Sequence, residues 1–285
     1  MRAAVVEAGR VTLELSEKGT GGMEPIGAVE SLWRYPVKSM RGEALPEVFV
    51  GFPGVYGDRV YAFRNSAAPK GCPYLTSTKL EAMLLYQPRY RNPERMTKPP
   101  NLAEAEAIAP GLTPVYPGPA DLAVDVDTPS GDRLPVGDPR LIHLLRAGIG
   151  EENELTLVRS DRALTDSRPV SLISIQTIRQ LGEELGTSLD KRRFRANIYL
   201  NLKSGKGFDE DLLVGRNLRV GAKTTLAVTD RDLRCKMVTL DPDTGEQDAK
   251  IMKHLAGAHQ NNAGVYSAVL VEGTIRAGDE ISLMD

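Results

Sequence analysis

The stretch TDRDLRCKMVTLDPDTG (229–245) sets Cys235 between Arg234 and Lys236. Two neighbouring cations stabilise a thiolate and lower its pKa, which suits a reactive or a metal-bound sulfur. Adjacent residues of a strand point to opposite faces, so only a bend at Cys235 would bring both charges to it. Lys38-Ser39 follows a strand that Pro36 interrupts. A loop there offers an ammonium, a hydroxyl and backbone N–H groups, a set suited to an oxyanion such as phosphate, although solvent is the commoner partner of a surface Lys-Ser. Arg59, beside Asp58 in VYGDRVYAF, enters an apolar strand and needs a partner, either Asp58 in a structural ion pair or a group elsewhere. Arg195 and Asn197 stand at i and i+2 in RFRANIYL, and on a strand they share a face. A guanidinium fork for phosphate beside an amide for a heterocycle edge fits a polyanionic, heteroatom-rich ligand, with water as the plain alternative. Arg192 and Arg193 add positive charge at the same place.

Short strands with frequent turn signals must position these groups. PIGAVESLWRYPVKS starts as a strand and stops at Tyr35-Pro36, where proline removes a ladder donor. PEVFVGFPGVYGDRVYAFRN reads as two strands around a glycine-rich loop, and LAVDVDTPSGDRLPV as a hairpin turning at 128–131. RRFRANIYLNL alternates, with Phe194, Ala196, Ile198 and Leu200 on one face and Arg195, Asn197, Tyr199 and Asn201 on the other, which predicts a half-exposed strand. TTLAVTD, CKMVTL, VYSAVLV and DEISLM complete an antiparallel set, with DPDTG (241–245) as a turn. Two helices stand out. GDPRLIHLLRAG has Asp138 as N-cap, Pro139 at the first helical position, Leu141, Leu144 and Leu145 on one face and Gly148 as its stop. SLISIQTIRQLGEELG aligns Ile175, Ile178, Leu181 and Leu185 and ends at Gly186. TSTKLEAMLLY suggests a shorter helix, residues 98–120 a long Pro- and Ala-rich loop, and RVTLEL (10–15) an N-terminal strand. The fold class expected is mainly β with some α: two barrel-like β modules with covering helices.

Composition narrows the function. A formal charge of −2 with mixed signs gives no electrostatic case for nucleic acid or an anionic membrane, and aromatics at 5% leave little for base stacking. No apolar run reaches the roughly 20 residues a bilayer needs, and no signal-peptide core precedes the first strand, so a cytoplasmic protein is expected. Two cysteines cannot build a disulfide framework or the four-thiolate set of an iron–sulfur cluster. Cys72, in KGCPYL, reads as an incidental loop thiol. Three histidines without an HExxH or CxxC pattern give no sign of a zinc site.

Together these stretches resemble a known family. RYPVKSMRGE followed by GDRVYAF is similar to the N-terminal β-barrel module that precedes MOSC domains, and RFRANIYL, LRCKMVTLDPDTG and GVYSAVLVEGTIRAGDEI are similar to the MOSC domain itself. The resemblance implies an N-terminal extension at 1–24, the N-terminal module at 25–150 and a MOSC domain at 151–285. It implies a molybdenum cofactor of the molybdopterin type, with Cys235 as molybdenum ligand and as the catalytic residue. Lys38, Ser39, Arg59, Arg195, Asn197 and Arg234 would hold the pterin and its phosphate. The implied activity is an oxidoreductase that reduces small N-hydroxylated substrates. Since the chain cannot hold its own iron–sulfur cluster, electrons would come from a separate ferredoxin- or flavoprotein-type donor. The alternatives are a cofactor carrier, a sulfur-transfer module with a persulfide at Cys235 formed without pyridoxal phosphate, or a barrel that only binds a protein partner. Two positions depart from the family pattern: Ala196 replaces a proline, and Leu233 replaces a small polar residue near the cysteine.

Overall fold

The computed structural model describes residues 23–108, 121–150 and 152–284. Seven strands close into a barrel, in the order Glu24–Arg34, Ile198–Leu202, Val170–Ser174, Asn262–Val271, Thr224–Leu233, Asn217–Val220 and Glu280–Met284, the last pairing again with the first. Every neighbouring pair is antiparallel except Val170–Ser174 with Ile198–Leu202. A parallel pair needs a crossover, and the helix Ile175–Leu185 supplies it. Ser174 caps that helix by accepting from Thr177 N, and Gly186 ends it at φ 67°, a conformation that favours glycine.

The N-terminal part of the chain is built into this barrel. Its strand Glu24–Arg34 is one of the seven staves, and Glu47–Gly51 pairs with Gly273–Arg276 near the C-terminal end. One continuous apolar cluster runs from Val29 and Val48 through Leu155 to Ile281, so the two expected modules share a core. Glu43–Leu45 extends the barrel sheet beside Glu24–Arg34, and between 47 and 159 the strands form small two- and three-stranded sheets rather than a second closed cylinder.

Barrel closure depends on a close approach at Gly27, which pairs with Leu202 on one side and Ile281 on the other. A Cβ there would lie 2.4 Å from the Asn201 carbonyl oxygen, which is backbone and cannot step aside. Gly27→Ala is therefore expected to lower stability by about 3 kcal/mol, read as a shifted urea midpoint at unchanged slope.

Several expected elements differ. Ile198–Leu202 is a strand, but Arg195, Ala196 and Asn197 precede it outside any strand. Nor is it half-exposed: Ile198 and Leu200 enter the barrel core, while Tyr199 packs with Ile173, Leu181 and Leu255 beneath two covering helices, Ile175–Leu185 and Ala249–Ala258. CKMVTL is not a strand, because the chain leaves Thr224–Leu233 and coils into a 3₁₀ turn at Lys236–Thr239. The loop expected at 98–120 contains the short helix Leu102–Ile108. In the helix Pro139–Ala147, Leu141 and Leu145 are buried but Leu144 is exposed. The strand expected at 10–15 lies outside the described residues. No helix among those described is long and apolar enough to cross a membrane.

Candidate functional site

A cleft of about 420 Å³ opens where the turn after Tyr35-Pro36 meets the barrel. Its walls bring together Lys38, Ser39, Arg59, Arg195, Arg234 and Cys235, six of the seven residues singled out from the sequence. Asn197 is not among the lining residues. Its amide donates to the Trp33 carbonyl (3.3 Å), and its Oδ1 accepts from Ser171 N and Oγ (3.3 and 3.2 Å). It therefore works behind the wall, holding Ser171, which does line the cleft.

Three cleft residues hold left-handed backbone: Ser39 (φ 67°), Arg59 (φ 46°) and Arg195 (φ 52°), half of the six described non-glycine residues that do so. Such backbone costs an L-residue about 1 kcal/mol or more and persists only where neighbours over-determine it. The Ser39 carbonyl accepts from Ser77 Oγ (2.6 Å), and one network holds Arg59 and Arg195. Tyr35 N donates to Asp58 Oδ1 (2.8 Å), Asp58 Oδ2 pairs with Arg59 Nη1, and Arg59 Nη2 donates to the Arg195 carbonyl (3.0 Å). The guanidinium carbons of Arg59 and Arg195 lie 4.6 and 4.3 Å from the centre of the Tyr35 ring. The Asp58–Arg59 ion pair expected as a structural alternative thus exists, and it also shapes the cleft.

The cations divide sharply by partner. Lys38, expected as a free ammonium on a surface loop, is buried, and its Nζ donates to the Leu164 carbonyl (2.8 Å) and to Asp166 Oδ1 (2.6 Å). Arg234 faces Asp232 at 2.8 Å and donates to the carbonyls of Ala263 (2.7 Å) and Phe194 (2.8 Å). Lys236 pairs with Glu81, and Arg193 with Asp241 at 2.8 Å. The two charges flanking Cys235 in sequence are thus directed at carboxylates, although the chain does bend at the cysteine. Arg195 alone among these cleft cations has no ion pair among the described residues. The residue is partly exposed, but its Nη2 is cut off from solvent with no hydrogen-bond partner. Burial, with repulsion from Arg59 adding to it, lowers its pKa to about 10, so at neutral pH it remains a cation without an anion.

Several lining residues gave no local signal. Cys72, read as an incidental loop thiol, is exposed on the wall of the same cleft as Cys235, also exposed. Asp166 lines the cleft with its side chain largely exposed and pairs with Lys38; partial desolvation pushes its carboxyl up, but Lys38, Arg59 and Arg195 together hold it below the usual range. Asp232 is buried beside the cleft, and burial outweighs Arg234 to raise its pKa. The i, i+2 spacing of Asp232 and Arg234 at the end of a strand could have suggested that pair. Tyr266 also lines the wall, and burial raises its hydroxyl well above the ordinary tyrosine value. Leu233 shows 67% of its surface at the mouth. A narrower cleft of about 230 Å³, lined by Trp33, Tyr35 and Arg41, shares Arg193, Arg195 and Met237 with the first.

Residues 159–282 match the family model of the MOSC domain. This part of the chain is a MOSC domain. It comprises six of the seven barrel strands and carries Arg195, Arg234 and Cys235, while Lys38, Ser39 and Arg59 reach the cleft from outside it. The domain belongs to a molybdenum-cofactor-binding family. Among solved structures, YuaD from Bacillus subtilis aligns over 92% of this chain and 98% of its own, at 12% identity and TM-score 0.44. YiiM from Geobacillus stearothermophilus aligns over 41% of this chain and 55% of its own (19% identity, TM-score 0.32), and YiiM from Escherichia coli over 42% and 55% (15%, 0.30). No curated protein matches the chain.

Proposed function

We propose that the cleft holds a molybdopterin-type molybdenum cofactor and that the protein uses it to reduce small N-hydroxylated compounds, with electrons from a separate donor protein. The observation that carries this reading is Arg195, a guanidinium with a buried nitrogen, no carboxylate partner and a place on the cleft wall. A buried cation is expected to have a counter-charge, and a phosphate supplies one in fork geometry. An exposed thiol on the same wall adds a soft ligand. The donor set therefore fits a group with an anionic tail and a thiophilic metal.

When bound, the cofactor supplies two-electron oxygen-atom chemistry that side chains cannot. The protein's own residues bind and orient. Cys235 offers its sulfur at the end of a barrel strand. Arg195 would meet the phosphate, while Lys38, held by Asp166, and Arg59, held by Asp58, would shape the wall around it. Asp232, whose carboxyl burial makes easier to protonate, stands beside the cleft paired with Arg234.

The test is expression in a host with intact cofactor synthesis, anaerobic purification, molybdenum analysis and reduction of an N-hydroxylated base with an artificial electron donor. About one molybdenum per chain with turnover supports the reading; no molybdenum in the wild-type protein ends it. A second reading is favoured by the two exposed thiols on one open cleft: a carrier or sulfur-transfer module with a persulfide on Cys235. Release of cofactor to an apo-acceptor without turnover would select it.

The cleft's acid–base groups give a pH expectation. Sulfate, a dianion across pH 4–8, should bind more tightly as pH falls through the raised pKa of Asp232, since protonation removes a negative charge from the wall. Asp166, with its lowered pKa, stays ionised over that range. One charge about 6 Å from a dianion is worth about 5 kcal/mol at an effective dielectric of about 20, so even after screening by solvent the gain should exceed about tenfold. Calorimetric titration across that range should show the step in wild type and lose it in Asp232→Asn.

A further inference from the structure

A second group of ligating side chains lies where the C-terminal ends of two covering helices meet. Glu184 is in the last turn of Ile175–Leu185, His254 lies on Ala249–Ala258, and His259 is the C-cap of that helix. Two of the chain's three histidines are therefore here. Among the described residues this is the only group of three or more His, Cys, Asp or Glu whose ligand atoms all lie within 4.8 Å of one another. The Nε2 atoms of His254 and His259 stand 2.6 and 2.7 Å from the same carboxylate oxygen, Glu184 Oε2.

The surroundings hold these groups in place. Glu184 Oε1 accepts from Gln180 Nε2 at 2.8 Å, which fixes the carboxylate plane. The His259 ring stacks on Phe208 with centroids 3.9 Å apart and planes 9° from parallel, and His254 meets His259 edge-on at 5.6 Å. Outer contacts of this kind orient ligands in metal sites. The electrostatics also ask for a cation. Helix C-termini carry partial negative charge, and here two of them converge on a carboxylate. Asp211 Oδ1 is buried with no hydrogen-bond partner, while its Oδ2 lies 3.6 Å from Arg231 Nη1.

We propose that Glu184, His254 and His259 bind a zinc-class divalent cation that ties the two helix ends together. Two imidazoles and one carboxylate suit zinc and its first-row neighbours, whereas magnesium and calcium take all-oxygen sets. The two N–H donations to Oε2 give way to two nitrogen–metal bonds and one oxygen–metal bond, with water completing the coordination. The site is separate from the cleft: none of its three residues lines it. Its consequence is structural, since the helix carrying His254 packs on the 3₁₀ turn that follows Cys235.

The test uses the full chain, purified and stripped of metal with a chelator. Calorimetry with Zn²⁺, and visible absorption with Co²⁺ as a probe, should report one ion per chain at micromolar affinity or better. Affinity should fall at least tenfold in His254→Ala, His259→Gln and Glu184→Gln, the last two keeping shape and hydrogen bonding. Zinc should also raise Tm by about 5 °C at large excess over Kd. Cys72→Ser/Cys235→Ser should bind zinc unchanged. Failure of the wild-type chain to take up either metal overturns the proposal, as does binding that is lost with the thiols and indifferent to the histidines.

Discussion

Cys235→Ser, purified from a host that makes the molybdenum cofactor, is expected to retain no more than about a tenth of the wild-type molybdenum and to melt within about 2 °C of it. The two halves of this expectation have different origins. Cys235 is exposed and makes no apolar contribution to either core cluster, so replacing sulfur with oxygen leaves packing untouched. Serine, however, is a hard neutral ligand where a soft anionic one is required. Elemental analysis and a thermal melt on the same preparation separate the effects. A variant that keeps its molybdenum would show that the thiol is not a ligand, and the reductase reading would then need another anchor. Cys72→Ser is the natural control, because it alters the second thiol of the same cleft wall.

How much of this site could be read beforehand depended on whether a signal was local. Helix ends were legible: Asp138 accepts from Arg140 N, and Gly186 takes the left-handed cap, because capping is decided within a few residues. The strands at 24–34 and 262–271 were legible from alternation and from Pro36. RFRAN was misread as strand because its alternation imitates one. What sets Arg195 in left-handed backbone is Arg59 holding its carbonyl, a contact from the far end of the chain. Lys38 was expected to be free because its partner, Asp166, sits in a segment with no motif. The two histidines showed no metal spacing, and the Glu184 carboxylate that both reach comes from another helix. In each case a long-range contact decided the role of a residue whose local pattern suggested something blander.

Arg195→Met is expected to do two opposite things: abolish cofactor retention and make the empty protein more stable, by about 1–2 kcal/mol in urea unfolding at pH 7. Lowering the arginine pKa from 12.5 to about 10 means that the fold disfavours the charged form by roughly 3 kcal/mol, at about 1.4 kcal/mol for each tenfold change. Part of that is returned by the Tyr35 ring at 4.3 Å, worth about 1 kcal/mol, and would be lost with the guanidinium. The left-handed backbone at 195 is equally awkward for arginine and methionine, so it cancels. The sign of the pH dependence follows. A base with a depressed folded pKa is destabilising wherever it is charged, below about pH 10, and that penalty fades as pH rises from there toward 12.5. The variant's advantage should therefore be flat through neutral pH and shrink above pH 10. With cofactor bound the ordering should reverse, because an anion beside Arg195 repays the desolvation that the empty cleft leaves uncompensated. A variant no more stable than wild type would mean that the guanidinium already has its counter-charge, and the case for a phosphate at this position would fail with it.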